Sequence, residues 1–139
     1  MRNIKKIIVT LTLLSILFVF FSQVNISYAA PAPSLSSVQI TDLMVDDYNQ
    51  IYVEVVEYGT SRSRTVFFNN SLCQEDYNEM SMITRNGIVI GYRRYFKTTT
   101  RWTESIVGIT YNVRATYTNA MRPWNTISTS TSFTIPSFS

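Results

Sequence analysis

The 139-residue sequence contains no histidine, and it has only one cysteine, four glycines and four prolines. Without histidine, the commonest general base of enzymes and the commonest metal ligand are both missing. A single cysteine forms neither an internal disulfide nor a cysteine-rich zinc site. The four glycines build no phosphate-binding loop, and no serine lies in a G-x-S-x-G motif. We therefore expect no enzyme activity, no cofactor and no metal.

One long apolar run, residues 7–21, stands near the start of the chain, directly after three cationic side chains. A polar stretch then leads to the small residues of Ser27-Tyr28-Ala29-Ala30. This order is typical of a secretory signal peptide, so we predict that residues 1–29 are removed and the protein is secreted. An uncleaved membrane anchor is disfavoured, because 15 apolar residues are short for a bilayer span. The mature form would then contain no membrane span.

Removal of this segment changes the charge of the protein. The whole chain has 12 basic and 9 acidic side chains, and Arg2, Lys5 and Lys6 lie in the signal segment. The remaining 110 residues then have nine of each sign. A neutral domain gives no argument for a nucleic-acid partner. A chain of this length buries a single core without disulfides.

After a Pro/Ser-rich spacer, residues 30–37, the apolar pattern of residues 38–139 has a period of two, as in half-buried strands. We predict seven strands, at residues 38–43, 51–58, 65–69, 80–85, 88–97, 109–117 and 126–135. Seven short strands without helical crossovers predict an all-β fold, a single antiparallel β-sandwich. The one helical candidate, residues 74–79, is interpreted as a solvated loop or single turn rather than a metal site, since it lacks the pattern of a calcium loop.

Two turns are predicted from their residue types. Asn86-Gly87 lies between apolar runs, and both residues tolerate the positive φ of a two-residue type I′ hairpin. Such a turn pairs Ile83 with Ile90 and Met82 with Gly91. The segment 46–49, Asp-Asp-Tyr-Asn, is interpreted as a turn between strands rather than as a glycosidase acid pair.

Residues 109–115, preceded by Gly108 and followed by a loop and a strand ending at Ile135, resemble the last two strands of fibronectin type III and immunoglobulin-like domains. The resemblance implies that Tyr111 is a corner tyrosine whose hydroxyl bonds to nearby backbone. The sequence departs from that pattern in two respects: it has no tryptophan in residues 51–58, and it has no cysteine pair.

A basic, aromatic segment spans residues 85–102, with five cations and no acid. We call its candidate residues the basic-aromatic stripe: Arg85, Tyr92, Arg93, Arg94, Tyr95, Lys97, Arg101 and Trp102. Such a stripe suits an anionic polymer, a cell-wall polysaccharide or a lipid headgroup. Alternatively, the acids of residues 42–57 lie on neighbouring strands and pair with these cations.

A second candidate surface is the loop 118–125, which carries Met121, Arg122, Pro123 and Trp124. Apolar and guanidinium groups on a loop dominate many recognition sites. The alternative is that Trp124 folds back over the core. Arg122-Pro123-Trp124 also resembles the Arg-Pro-Trp loop of chagasin-like cysteine peptidase inhibitors, which implies peptidase inhibition. The other loops of those inhibitors, an Asn-Pro-Thr-Thr-Gly loop and a glycine-rich loop, are absent.

These features favour a secreted bacterial binding or interaction module, of Gram-positive type, that acts at or outside the cell envelope on a protein or a cell-surface polymer. A peptidase inhibitor is one alternative. A membrane-active β-protein is another, suggested by the alternating strands after Ile106. Cys73 is expected to be a buried small residue rather than a nucleophile, and a dimer through it is disfavoured.

Overall fold

The structure, a computed structural model, describes residues 33–137. The predicted signal peptide and its cleavage site lie outside the described residues. Eight strands follow one another along the chain: β1 (Ser37–Val45), β2 (Gln50–Tyr58), β3 (Ser61–Phe68), β4 (Ser71–Leu72), β5 (Gln74–Arg85), β6 (Ile88–Arg101), β7 (Thr110–Asn119) and β8 (Thr126–Thr134). The described helical structure is a single 3₁₀ turn, Glu104–Ile106.

The strands form two four-stranded sheets, ordered β1-β2-β6-β5 and β4-β3-β7-β8. All pairings between these strands are antiparallel. The order matches that of the immunoglobulin sandwich, with strands A, B, E and D in one sheet and C, F and G in the other. The predicted antiparallel sandwich is confirmed. The strand that the sequence does not predict is β4, whose two residues are too few to produce an alternating pattern.

The core lies between the sheets and is built by the alternating positions of the central strands. Val53 and Val55 of β2, Val66 of β3 and Val113 of β7 are all fully buried. The rings of Phe96 and Tyr117 connect the sheets edge to face, with centroids 6.4 Å apart. A period of two sends every second side chain into this space, which is why the sequence pattern predicts the strands well.

The turn between β1 and β2 forms as predicted. Asp46 Oδ1 accepts hydrogen bonds from the backbone N–H groups of Tyr48, at 2.9 Å, and Gln50, at 2.6 Å. Asn49 takes a φ of 58°, in the left-handed region that asparagine tolerates. The carboxylate of Asp46 therefore stabilises the turn by accepting two backbone hydrogen bonds.

The hairpin between β5 and β6 turns at Asn86 and Gly87, with φ values of 53° and 76°, so the predicted turn is confirmed. The register next to the turn also follows, since Arg85 pairs with Ile88.

The predicted register further along this hairpin is wrong by one residue. Ile83 pairs with Gly91, and Met82 with Tyr92, because a bulge interrupts the ladder. The carbonyl of Ile90 accepts a hydrogen bond from Gly59, at 2.8 Å, which draws this residue out of the β5 pairing. A Cβ on Gly91 would collide with the backbone carbonyl of Glu57, so glycine permits the close approach to β2.

The interpretation of residues 74–79 as a loop or single turn is wrong, because they belong to strand β5. The register shifts between Asp76 and Ser81, so the residues between them bulge away from β6. This interruption removes the regular alternation that would have revealed a strand.

The domain begins earlier than the sequence suggests. Leu35 is buried in the core, Ser34 forms a bridge with Thr60, and β1 starts at Ser37. Part of the predicted spacer, residues 30–37, therefore belongs to the sandwich.

The corner tyrosine implied by the immunoglobulin resemblance is not formed. The ring of Tyr111 packs against Phe68, with centroids 4.9 Å apart. Within residues 33–137, its hydroxyl makes no hydrogen bond. Tyr111 thus contributes an aromatic contact at the edge of the core, and the backbone tie expected of a corner tyrosine is missing.

Candidate functional site

The loop between β7 and β8 presents its apolar side chains to solvent. Trp124 is 80% exposed and Met121 is 58% exposed. Arg122 and Pro123 are exposed as well. The alternative in which Trp124 covers the core is therefore wrong, and the four predicted residues form one accessible surface, which we call the tip.

Asn119, at the end of β7, holds the base of the tip. Its buried side-chain Oδ1 accepts hydrogen bonds from the backbone N–H groups of Met121, at 2.9 Å, and Arg122, at 3.2 Å. Its Nδ2 donates to Ser34 Oγ at 2.8 Å and to the carbonyl of Leu35 at 3.3 Å. One side chain thus ties the loop to the start of the domain. Sequence reasoning missed this residue, because an asparagine beside a loop is an ordinary turn residue.

Backbone hydrogen bonds close the loop further. The N–H of Asn119 donates to the carbonyl of Asn125 at 2.9 Å, and the N–H of Asn125 donates to that of Arg122 at 2.8 Å. The N–H of Ala120 donates to Thr60, in the connection between β2 and β3, at 3.0 Å. These bonds order the tip before any partner arrives, so little conformational freedom remains to be lost on binding.

The tip lies at the end of the sandwich where the β2–β3 connection is found. Gly59 and Thr60 in this connection contact Ile90, beyond the Asn86-Gly87 hairpin, on one side and the tip loop on the other. The strand registers explain this arrangement: Tyr58, at the end of β2, pairs with Gly91 near the start of β6, and Ser61, at the start of β3, pairs with Asn119 at the end of β7. The tip is thus one part of a larger, multi-loop end surface.

The basic-aromatic stripe does not form one surface, because alternate residues of β6 point to opposite faces of the sheet. On the inner face, Arg94 is buried; its Nε donates to Glu57 Oε1 at 2.6 Å and its Nη1 to Glu75 Oε1 at 2.9 Å. Arg64 of β3 completes the network with a 3.0 Å bond from its Nε to Glu75 Oε2. The Arg94 guanidinium also stacks over Tyr92, 4.9 Å from the ring centroid.

On the outer face of the same sheet, the cations are paired as well. Arg93 lies 3.3 Å from Glu54, and Lys97 lies 2.8 Å from Asp76. Tyr95 donates to Glu54 at 2.7 Å, and this bond raises the pKa of its phenol. The hydrogen bond from Lys97 lowers the pKa of Asp76, so this pair stays charged.

The remaining members of the stripe are separated from this group. Trp102 is buried in the core, and its Nε1 donates to the carbonyl of Pro136 at 2.9 Å, so its assignment to a surface is wrong. Arg85 and Arg101 are exposed, and neither forms an ion pair within the described part of the chain. For Arg93 and Arg94, the structure matches the charge-pairing alternative, because Glu54 and Glu57 belong to residues 42–57. Lys97 is also paired, but with Asp76 of β5, which lies outside that acidic segment.

Other sequence candidates have simple structural roles. Cys73 is buried and forms no disulfide, and desolvation raises the pKa of its thiol from 9.0 to about 11.

Between residues 33 and 137, no cluster of three or more His, Cys, Asp or Glu side chains could hold a metal ion. No helix in this range is long and apolar enough to cross a bilayer.

The fold defines the protein as an antiparallel β-sandwich with immunoglobulin-type strand order and an exposed, hydrogen-bonded tip. The chain belongs to the family described as a domain of unknown function, DUF4879, which matches residues 47–135. The match covers β2 to β8 and includes the whole tip. Comparison with curated proteins and with solved structures gives no match.

Proposed function

We propose that the protein is a secreted, non-enzymatic binding module of bacterial origin that engages a protein partner at or outside the cell envelope through its tip. The observation that carries this proposal is Trp124, which is 80% exposed on a loop that Asn119 holds. The Asn119 side chain makes two hydrogen bonds to the loop and two to the start of the domain. Tryptophan exposed on an ordered loop is the type of side chain that most often forms the centre of a protein interface.

The proposed binding mode rests on the chemistry of the tip. Tryptophan and arginine are the residue types most enriched at the centres of protein interfaces. Pro123 has a fixed φ, so the tip loses less conformational freedom on binding than a glycine-rich loop would. A narrow, ordered projection of this kind suits a concave partner surface better than a flat polymer.

A cell-surface polymer is the weaker partner within this proposal, since three of the stripe's five cations are paired with carboxylates. A membrane-active β-protein also receives less support. The alternation of β7, which suggested it, divides that strand between the core and the solvated surface of the sandwich.

Inhibition of cysteine peptidases is a second candidate function. It is favoured by the exposure of Arg122, Pro123 and Trp124 between the last two strands of an immunoglobulin-type sandwich, where chagasin-like inhibitors carry the same three residues. The connection at Gly59–Thr60, which lies beside the tip, lacks the Asn-Pro-Thr-Thr-Gly sequence of those inhibitors.

The binding proposal is tested with the purified mature chain immobilised and exposed to the extracellular fraction of the producing organism. Trp124→Ala is compared with Tyr77→Ala, because Tyr77 is another well-exposed aromatic, 71% accessible, on strand β5. We expect a bound protein whose recovery falls about 30-fold with Trp124→Ala, as for the loss of about 2 kcal/mol at an interface centre. Equal recovery with both variants would rule out the tip as the binding site.

The inhibitor hypothesis is tested by measuring residual activity of a papain-type cysteine peptidase titrated with the mature chain. Inhibition that weakens with Trp124→Ala and persists with Tyr77→Ala supports it. A peptidase that stays fully active in excess protein would exclude this function while leaving the binding proposal to its own experiment.

A further inference from the structure

A cleft of about 360 Å³ opens beside the turn between β1 and β2, on the outer face of the sheet that contains these strands. Three tyrosine rings and three carboxylates contribute to its lining: Tyr48, Tyr52, Tyr95, Asp46, Asp47 and Glu79. No lysine, arginine or backbone helix end takes part in the lining. The cleft is therefore both aromatic and acidic, which is opposite in charge to the stripe suggested by the sequence.

Three separate segments build this cleft. Tyr52 of β2 and Tyr95 of β6 lie on adjacent strands and share the outer face of the sheet. The hydrogen-bonded turn at Asp46 holds Tyr48 above them, with its side chain 76% exposed. Glu79 comes from the bulge of β5, where the strand departs from its pairing with β6. Glu79 is thus not paired with β6, and its position in the bulge places it at the cleft.

The negative charge of the cleft is not cancelled by its neighbours. The nearest cations on β6, Arg93 and Lys97, are each paired with a carboxylate outside the lining, Glu54 and Asp76 respectively. Among residues 33–137, none of the three lining carboxylates forms an ion pair. Asp46 is partly used by the turn, so Asp47 and Glu79 are the carboxylates available to a ligand.

The tyrosine rings add a second attraction for cations. The face of an aromatic ring attracts a positive charge within about 6 Å of its centroid. Tyr52 already makes such a contact inside the protein, since Lys97 Nζ lies 5.3 Å from its ring centroid. Lys97 thus already uses the ring of Tyr52. Among the described residues, no cation stacks on Tyr48 or Tyr95, so these two rings are available to a ligand.

The arrangement suits an organic cation better than a metal ion. Calcium and magnesium require several oxygen ligands at close, defined distances, and the described carboxylates do not cluster in that way. A protonated amine, in contrast, needs one or two carboxylates and an apolar or aromatic wall for its carbon chain.

We propose that this cleft binds a protonated primary amine, with Asp47 and Glu79 facing the ammonium group and Tyr48 covering its carbon chain. The amine is the side chain of a lysine in a protein partner, because lysine carries its ammonium group on a carbon chain that Tyr48 can cover. The site is independent of the tip. The cleft adjoins the start of β2 and the tip adjoins its end, and a strand of nine residues is about 30 Å long.

The test uses the mature chain and measures binding of Nα-acetyl-lysine amide and of glucosamine by NMR shifts of residues 46–52 and 79. Their uncharged counterparts, Nα-acetyl-norleucine amide and N-acetylglucosamine, are the control ligands. We expect both amines to bind more tightly than their counterparts. We also expect amine binding to weaken as salt rises to physiological strength, because partly exposed charges are screened over about 8 Å. The lysine amide should bind more tightly than glucosamine, and tighter binding of glucosamine would overturn the assignment to a lysine side chain.

Matched variants separate the cleft from general charge effects. Glu79→Gln and Tyr48→Ala should each raise the dissociation constant of the better amine about threefold or more. Glu104→Gln removes the same charge from an exposed position in the 3₁₀ turn and should leave that constant unchanged.

Equal binding of the amines and their uncharged counterparts would overturn the proposal. An equal loss in Glu79→Gln and Glu104→Gln would also overturn it, because binding would then reflect net charge alone. Neither result depends on Trp124, so the outcome is separate from that of the tip.

Discussion

Arg94 and Glu57 form an ion pair in the space between the two sheets, with 2.6 Å between Nε and Oε1. Glu57 is fully buried, and its second oxygen, Oε2, has no hydrogen-bond partner within the described residues. Among residues 33–137, Arg94 is therefore the one cation that forms an ion pair with this carboxylate, and it is shared with Glu75. The two residues lie on adjacent strands, β2 and β6, and Val53, Val55 and Phe96 are buried on the same inner faces.

Loss of Arg94 should destabilise the domain strongly. Arg94→Met leaves Glu57 buried without a cation, and removal of one partner of a buried pair costs about 3–5 kcal/mol. Urea unfolding followed by tyrosine and tryptophan fluorescence measures this change. Arg93→Met is the matched control, because Arg93 is exposed and its pair with Glu54 should contribute at most about 1 kcal/mol. Similar losses in the two variants would contradict the role given to the buried pair.

Replacement of the two tryptophans should have different effects on the stability of the domain, because only Trp102 is buried. Trp102 is buried and bonded to Pro136, so Trp102→Ala should cost about 3–5 kcal/mol of unfolding free energy. Trp124 is exposed, so Trp124→Ala should change that free energy by less than about 0.5 kcal/mol.

Fluorescence provides an independent measurement of the same difference. With Trp102→Phe, the remaining Trp124 should emit at long wavelength and be quenched readily by acrylamide. With Trp124→Phe, the remaining Trp102 should emit at shorter wavelength and be quenched poorly by acrylamide. Strong protection of Trp124 would mean that it is covered.

Cys73 should be unreactive in the folded protein. Desolvation by burial raises the pKa of its thiol to about 11, so hardly any thiolate forms at neutral pH. We expect Ellman's reagent to modify Cys73 only after unfolding, and the mature chain to run as the same species with and without reductant. Rapid modification of the native chain would contradict the burial of this residue.

The same shift predicts a loss of stability at alkaline pH. The unfolded thiol ionises near 9.0 and the folded thiol near 11, so between these values the unfolded chain binds fewer protons. The contribution of the thiol is therefore fully present below pH 9 and is lost as pH rises towards 11. Cys73→Ala should flatten this part of the stability curve. Burial also raises the pKa of Tyr117, which adds a loss of the same sign at higher pH.

The hairpin turn should depend on backbone conformation alone. A Cβ at Gly87 would meet nothing within 4 Å, yet its φ of 76° is strained for a branched side chain. Gly87→Val should cost at least about 1 kcal/mol in unfolding experiments, and Gly87→Asn less, because asparagine tolerates positive φ. Equal stability of all three proteins would show that this turn imposes no such requirement.

Local sequence chemistry determined the parts of this protein that depend on neighbouring residues. Alternating apolar residues predicted seven of the eight strands, and Asn86-Gly87 and the segment 46–49 predicted their turns. These features follow from short-range sterics and from the period of two of a strand. The hairpin register and residues 74–79 were predicted wrongly for one reason: bulges break that period, and one bulge depends on the contact between Gly91 and β2.

Tertiary structure alone decided which side chains are covered and which charges are paired. Trp102 and Trp124 look alike in sequence, but Trp102 is buried in the core and donates to the carbonyl of Pro136, whereas Trp124 projects from a loop held by Asn119. The five cations of the stripe appear as one group, yet β6 lies between β2 and β5, whose acids pair with three of them. The acidic cleft combines three distant segments. Such properties depend on contacts between residues far apart in the chain, which a local pattern does not contain.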